Sequence, residues 1–230
     1  QKLQFKNLLP KFDVTAPANQ VEDGFEQITD YKKAEKVLDQ AKESACVGAV
    51  IFQNTENVLP LFANEAAIGG IGLCFDEEHA YCIEVTEQIT KEFLLEKLSK
   101  LNESCGRFVM FDIKEAMKWL PIKNQKHCFD ATVAAYLLNP LKNDYTYEDV
   151  AREQLNIVIE EKSEAYVKVC YEAYTAFKGS DLLYKKLEET QMLRLFEDIE
   201  MPLVFTLYDM ERNGIRAEGE ALKVYSSQLG

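Results

Sequence analysis

The apolar positions of this chain change period along its length, and each change marks an element. Phe25 to Ile28 predicts a short strand. Asp30 then caps a helix reaching Lys42, with Ala34, Val37, Leu38 and Ala41 at helical spacing. The run from Cys46 to Phe52 is β-branched, apolar and of strand length, which predicts a central strand. Two more strands follow, Ile68 to Phe75 with three glycines and Ala80 to Val85, across an Asp76-Glu77-Glu78-His79 turn.

Thr90 starts a helix over Lys91 to Lys100, with Phe93, Leu94, Leu95 and Leu98 as its apolar set. Phe108 to Phe111 predicts another strand, after which Asp112 caps a helix from Ile113 to Leu120 that Pro121 stops. Phe129-Asp130 precedes a helix over Ala131 to Leu138, closed by Asn139-Pro140. From Tyr147 onward the pattern is helical nearly to the end, punctuated by Gly179 and by Asn213-Gly214. Strands first and interleaved helices afterwards predict an α/β fold with a mixed sheet. The opening, residues 1–22, is broken by Pro10 and Pro17 and reads as a linker or arm. Ala221 to Gly230 is amphipathic and still helical where the sequence stops, which reads as a piece of a longer polypeptide.

Composition narrows the function classes. The chain has 230 residues, 47% of them hydrophobic and 28% charged, which excludes a disordered polymer. No apolar run approaches the roughly 20 residues that span a bilayer, and no charged-then-apolar signal opens the chain, so a cytoplasmic location without membrane contact is expected. With 26 Lys and Arg against 39 Asp and Glu, the net charge is −13, so a polyanion is repelled at long range unless a local patch or bound cations reverse the field. The six cysteines, Cys46, Cys74, Cys82, Cys105, Cys128 and Cys170, form no C-x-x-C pair and are expected to be reduced and mostly buried.

Candidate chemistry is sparse. Polar groups at the ends of two strands, Gln53-Asn54-Thr55-Glu56 and Asp112, can meet on one rim of a sheet, where two-metal phosphodiester cleavage is commonly built. Two dications about 4 Å apart need three or four carboxylates, and here only Asp112 and, less securely, Glu56 are placed to serve. The competing reading of Asp112 is a plain helix cap. His79 and His127 fall in a turn and a polar loop, and no nucleophile elbow, P-loop or dinucleotide fingerprint is present. Gly69, Gly70 and Gly72 precede or sit in a strand and read as close packing.

Three stretches carry a resemblance. Phe196 to Val204 followed by Met210 to Ile215 closely resembles the passage joining exonuclease and polymerase domains in bacterial family A DNA polymerases. Cys128 to Pro140 is similar to that family's F-D-T/A…Y-L/I-L-N helix, and Leu3 to Leu9 to its segment leaving the 5′-nuclease domain. The resemblance implies an RNase H-like (DnaQ-like) exonuclease fold over residues 23–190. It implies a linker from a 5′-nuclease domain over 1–22, and the start of a polymerase thumb over 191–230. It also implies a parent polymerase of DNA replication and repair, a transferase that binds nucleic acid, with the polymerase domain of the same chain as partner, DNA reached through the parent, and a monomeric state.

Active members of that family resemble one another in a D-x-E, an N-x-x-x-D and a Y-x-x-x-D that serve two metal ions. By resemblance the first falls on Gln53 and Thr55, or in the neighbouring register on Asn54 and Glu56. The second falls on Phe108 and Asp112, and the third on Tyr166 and Cys170, so the tyrosine is kept and the final carboxylate becomes a thiol. An amide lacks the carboxylate's charge, and a thiol is a poor ligand for magnesium. The expectation is a vestigial exonuclease without a metal cofactor. Its rivals are a weak Mg- or Mn-dependent nuclease using Asp112, Glu56 and Glu164 or Glu172, and a module that binds DNA or protein without cutting.

Overall fold

A computed structural model describes residues 20–54, 67–142, 144–214, 216 and 218–229. After a 3-10 turn at Gln20–Gly24 come β1 (Phe25–Ile28), α1 (Tyr31–Ala41), β2 (Cys46–Gln53), β3 (Ile68–Cys74) and β4 (Ala80–Glu84). Then follow α2 (Lys91–Ser104), β5 (Arg107–Met110), α3 (Ile113–Ala116), β6 (Cys128–Asp130) and α4 (Ala131–Leu138). The helical remainder comprises α5 (Tyr147–Val150), α6 (Ala165–Glu189), α7 (Leu193–Leu195), α8 (Met201–Asn213) and α9 (Gly219–Leu229). The six strands form one mixed sheet in the order β1-β4-β3-β2-β5-β6. β3 runs antiparallel to both its neighbours, and the other three pairings are parallel.

Alternation along the central strands sends side chains to two cores. Val47, Ala49, Ile71 and Leu73 join Ala34, Val37, Leu38 and Ala41 of α1 and Leu94, Leu98 and Leu101 of α2 on one side. Val50, Cys74, Ala80 and Cys82 meet Val169, Cys170, Ala173 and Tyr174 of α6 on the other. α6 lies so close to the sheet that glycine is required beneath it. A Cβ on Gly48 would fall 2.3 Å from the Ala173 carbonyl oxygen, and one on Gly72 2.7 Å from Val169 Cγ1. Asp30 and Thr90 cap α1 and α2 with their side chains, as their positions predict. The cysteines are all free, and only Cys46 is partly exposed.

The structure corrects the sequence reading at four places. Gly179 does not interrupt a helix but lies inside α6, where it lets Val150 approach: a Cβ there would sit 3.3 Å from Val150 Cγ1. The helix after Asp112 ends at Ala116 and continues to Leu120 only as turns. Cys128–Asp130, read as a helix approach, is a sixth strand too short to announce itself by alternation. The stretch after Tyr147 is not continuously helical, because α5 passes into a π-turn at Ala151–Leu155 that Asn156 closes with a φ of 56°. The break at Gly214 stands, with a φ of 69°. Of the arm read over residues 1–22, residues 1–19 lie outside the described residues, and 20–22 enter the 3-10 turn ahead of β1.

Candidate functional site

β2 and β5 are parallel neighbours, so their C-terminal ends open on the same rim of the sheet. A register shift between Phe52 and Gln53 marks the end of β2. Beyond β5, Asp112 adopts a left-handed backbone (φ 51°), and its side chain accepts the N–H of Glu115 at 3.2 Å, capping α3. Between these strand ends, α3 and α6 lies a cleft of about 380 Å³ whose polar lining is Gln53, Asp112, Glu115, Lys118 and Glu172. Trp119 and Phe111 add aromatic wall.

Asp112 is held from below by β6. Asp130, 2% exposed, accepts the N–H of Ile113 on Oδ2 at 2.8 Å, and on Oδ1 those of Thr132 at 2.9 Å and Val133 at 3.1 Å. Thr132 returns the link, its Oγ1 accepting the Asp112 N–H at 3.2 Å. One buried carboxyl thus caps α4 and ties down the start of α3. Burial pushes its pKa up to about 6, against the N–H donors that favour the charged form and with a further push from the Asp112 charge.

The expected site residues do not all converge. Gln53 and Asp112 share the cleft. Thr55 and Glu56 lie outside the described residues. Phe108 is fully buried in the first core. Cys170 is fully buried beneath the sheet, its Sγ–H aimed at the Ala80 carbonyl at 3.5 Å, and Tyr166 packs half-buried against the same core. Neither lines the cleft. Glu164 is exposed at the N-terminal end of α6. The α6 residue on the cleft wall is Glu172, two positions beyond Cys170, and two helical steps turn a side chain by roughly 200°. Of the two, Glu172 faces the cleft and Cys170 does not.

Glu172 is an unusual acid. Burial, and then the charge of Glu148, push its pKa up to about 7. Glu148 stands on α5 beside Tyr147, whose phenol is likewise raised by burial and by both glutamates. The Tyr147 ring meets Phe111 edge-on at 6.4 Å between centroids. Nothing in the sequence around Tyr147 and Glu148 marks a site, and in the structure Thr146 caps α5 by accepting the Asp149 N–H at 3.3 Å. Among the described residues, no three His, Cys, Asp or Glu side chains are grouped to hold a metal ion.

A larger cavity of about 680 Å³ opens at the opposite ends of β5 and β6, against α6 and α8. Its Arg107 guanidinium lies 4.7 Å from the Tyr184 ring centroid and pairs with Asp181 at 2.8 Å. That cation is already committed to holding α6 against β5.

Comparison with known proteins gives this geometry a lineage. No family model matches the chain. Over 180 residues it is 31% identical to DNA polymerase I of Bacillus subtilis, covering 67% of this chain and 19% of that protein. Over 209 residues it is 28% identical to DNA polymerase I of Borreliella burgdorferi, covering 81% and 23%. The chain is related to bacterial DNA polymerase I. Among solved structures it superposes on the POL domain of Pol1 from M. smegmatis, in complex with DNA primer-template and dNTP, with a TM-score of 0.67 at 18% identity, covering 88% of this chain and 34% of that one. NrnC of Brucella melitensis with bound Mg2+ matches with a TM-score of 0.59 at 15% identity, covering 83% and 93%. The fold is therefore the RNase H-like, DnaQ-like exonuclease fold, carried in a chain related to DNA polymerase I. The chain spans from 14% to 29% of the length of the curated relatives it matches.

Proposed function

We propose that residues 23–190 are the exonuclease-type domain of a DNA polymerase I-like parent, kept as a scaffold after losing two-metal 3′–5′ proofreading, and that residues 191–230 begin the polymerase thumb. Gln53 carries the reading. It ends the central strand on the cleft rim, where two dications would need a negative ligand, and its amide is neutral. The three acids that share the cleft with it add little. Asp112 spends an oxygen on the Glu115 N–H, Glu115 itself is paired with Lys118, and Glu172 is half-protonated near pH 7. The described residues do not fit a pair of magnesium ions.

The test is direct. A 5′-labelled single-stranded oligonucleotide incubated with the protein and Mg2+ or Mn2+ is expected to stay intact. Shortening from the 3′ end would overturn the proposal.

One observation favours a second reading. Glu172 supplies an acid that the third motif, as read at Cys170, lacked, so a weak manganese-dependent nuclease can be drawn from Asp112, Glu172 and Glu56. Slow nucleotide release abolished by both Asp112→Asn and Glu172→Gln would establish it.

A further inference from the structure

The cavity of about 680 Å³ beside the first residues of β5 and β6 has the size of a small-molecule site and shares no lining residue with the cleft. Its floor is apolar. Phe129, Phe196, Met201 and Phe205 are buried, and the Phe129 and Phe196 rings meet at 4.8 Å between centroids. One wall is the 3-10 turn at Gln125–His127, which is fixed by buried polar groups of α2. Fully buried Asn102 accepts the N–H groups of Lys123 and Asn124 on Oδ1 at 2.9 and 2.7 Å. Its Nδ2 donates to the Asn124 carbonyl at 3.0 Å, and Ser99 Oγ donates to the Pro121 carbonyl at 2.8 Å. The His127 ring is seated by the same residue, its Nδ1 3.3 Å from the Asn102 carbonyl oxygen. A rim held in this way loses little further freedom when a ligand arrives.

The charges on the walls are unevenly committed. Arg107 pairs with Asp181 at 2.8 Å and Asp198 with Arg194 at 3.6 Å, while Glu197 accepts the Tyr184 hydroxyl at 3.4 Å. Lys126 has neither an ion pair nor a side-chain hydrogen bond among the described residues. The cavity therefore sets one uncommitted cation beside a floor of rings, with two carboxylates on the facing wall.

We propose that this cavity binds a small planar aromatic acid of single negative charge, its ring on the phenylalanine floor and its carboxylate on Lys126. Ring contacts with Phe129 and Phe196 favour an aromatic body over an aliphatic one. Glu197 and Asp198 repel further negative charge, so a phosphate dianion or a nucleic-acid strand is a poorer occupant than a monoanion. The site uses no residue of the cleft, so it stands whether or not nuclease chemistry survives.

Naphthoate and its uncharged counterpart, naphthyl methanol, are the probes, titrated into the 230-residue chain at low ionic strength and followed by ligand-observed NMR. Saturable binding is expected, with the acid held about fivefold or more tighter than the alcohol, the worth of one rim ion pair. Lys126→Glu should remove that preference and Lys126→Arg should keep it. Lys36→Glu, the same charge change at an exposed position of α1, should leave it untouched, with melting curves to show that each variant folds. Binding that does not saturate, equal affinity for the two probes, or a preference that survives Lys126→Glu overturns the proposal. An equal loss in Lys36→Glu reduces the effect to net charge and overturns it too. Tighter binding of adenosine monophosphate than of naphthoate would assign the cavity to phosphate instead.

Discussion

Asp130 and Ile113 belong to different strand–helix units, yet Asp130 Oδ2 accepts the Ile113 N–H at 2.8 Å. That bond, with the Thr132 hydroxyl on the Asp112 N–H, holds the left-handed turn in which Asp112 sits. The brace is built from protein groups alone and needs neither metal nor substrate.

Removing it has a calculable cost. Asp130→Ala strips the α4 cap, about 1 kcal/mol, and leaves a buried N–H unpaired, another 1–3 kcal/mol. A loss of roughly 2–4 kcal/mol in urea unfolding is expected. Asp130→Asn keeps an acceptor for α4 but turns an amide NH2, a donor, toward the Ile113 N–H, and should fall between.

Gly48→Ala should be worse than Gly72→Ala. At Gly48 the new methyl meets backbone, the Ala173 carbonyl oxygen and the Phe177 nitrogen at 2.5 Å, so α6 as a whole must retreat. At Gly72 it meets first the Val50 and Val169 methyls, at 2.5 and 2.7 Å, which can turn. Overpacking of the second kind costs about 1–3 kcal/mol. A smaller loss for Gly48→Ala than for Gly72→Ala would contradict the close approach of α6.

Glu172 makes a pH prediction whose sign is fixed by its direction of shift. Folding raises its proton affinity from the usual 4.5 to about 7, so its contribution to stability is complete below about pH 4.5 and is lost as the pH rises through 7. Asp130 acts the same way up to about pH 6, and subtracting a variant removes that shared background. Relative to Glu172→Gln, the unaltered protein should lose stability over this window, by roughly 2 kcal/mol after allowing for partial exposure. Parallel curves for the two proteins would count against the burial of Glu172 and its repulsion by Glu148.

Metal should leave the melting temperature unchanged. On the proposed loss of ligands, 10 mM Mg2+, on the order of the levels used for nucleases, should find no folded-state site to stabilise by linkage. A concentration-dependent rise that disappears in Asp112→Asn would show a site where none is expected.

Much of this was legible in one dimension. The periods of apolar residues, with Asp30, Thr90, Asp112 and Asp130 ahead of helices, mark five strands and the caps, because hydrophobic spacing and capping are local properties. Gln53 is a local fact too: an amide cannot be ionised by any fold. What the chain order could not decide was which α6 side chain reaches the cleft. Cys170 and Glu172 are two residues apart, and the turn of the helix, set by Gly48 and Gly72 admitting α6 to the sheet, hides one and presents the other. The bond from Asp130 to Ile113 and the pressure of Glu148 on Glu172 likewise join residues distant in sequence, and such pairings exist only after the sheet has assembled.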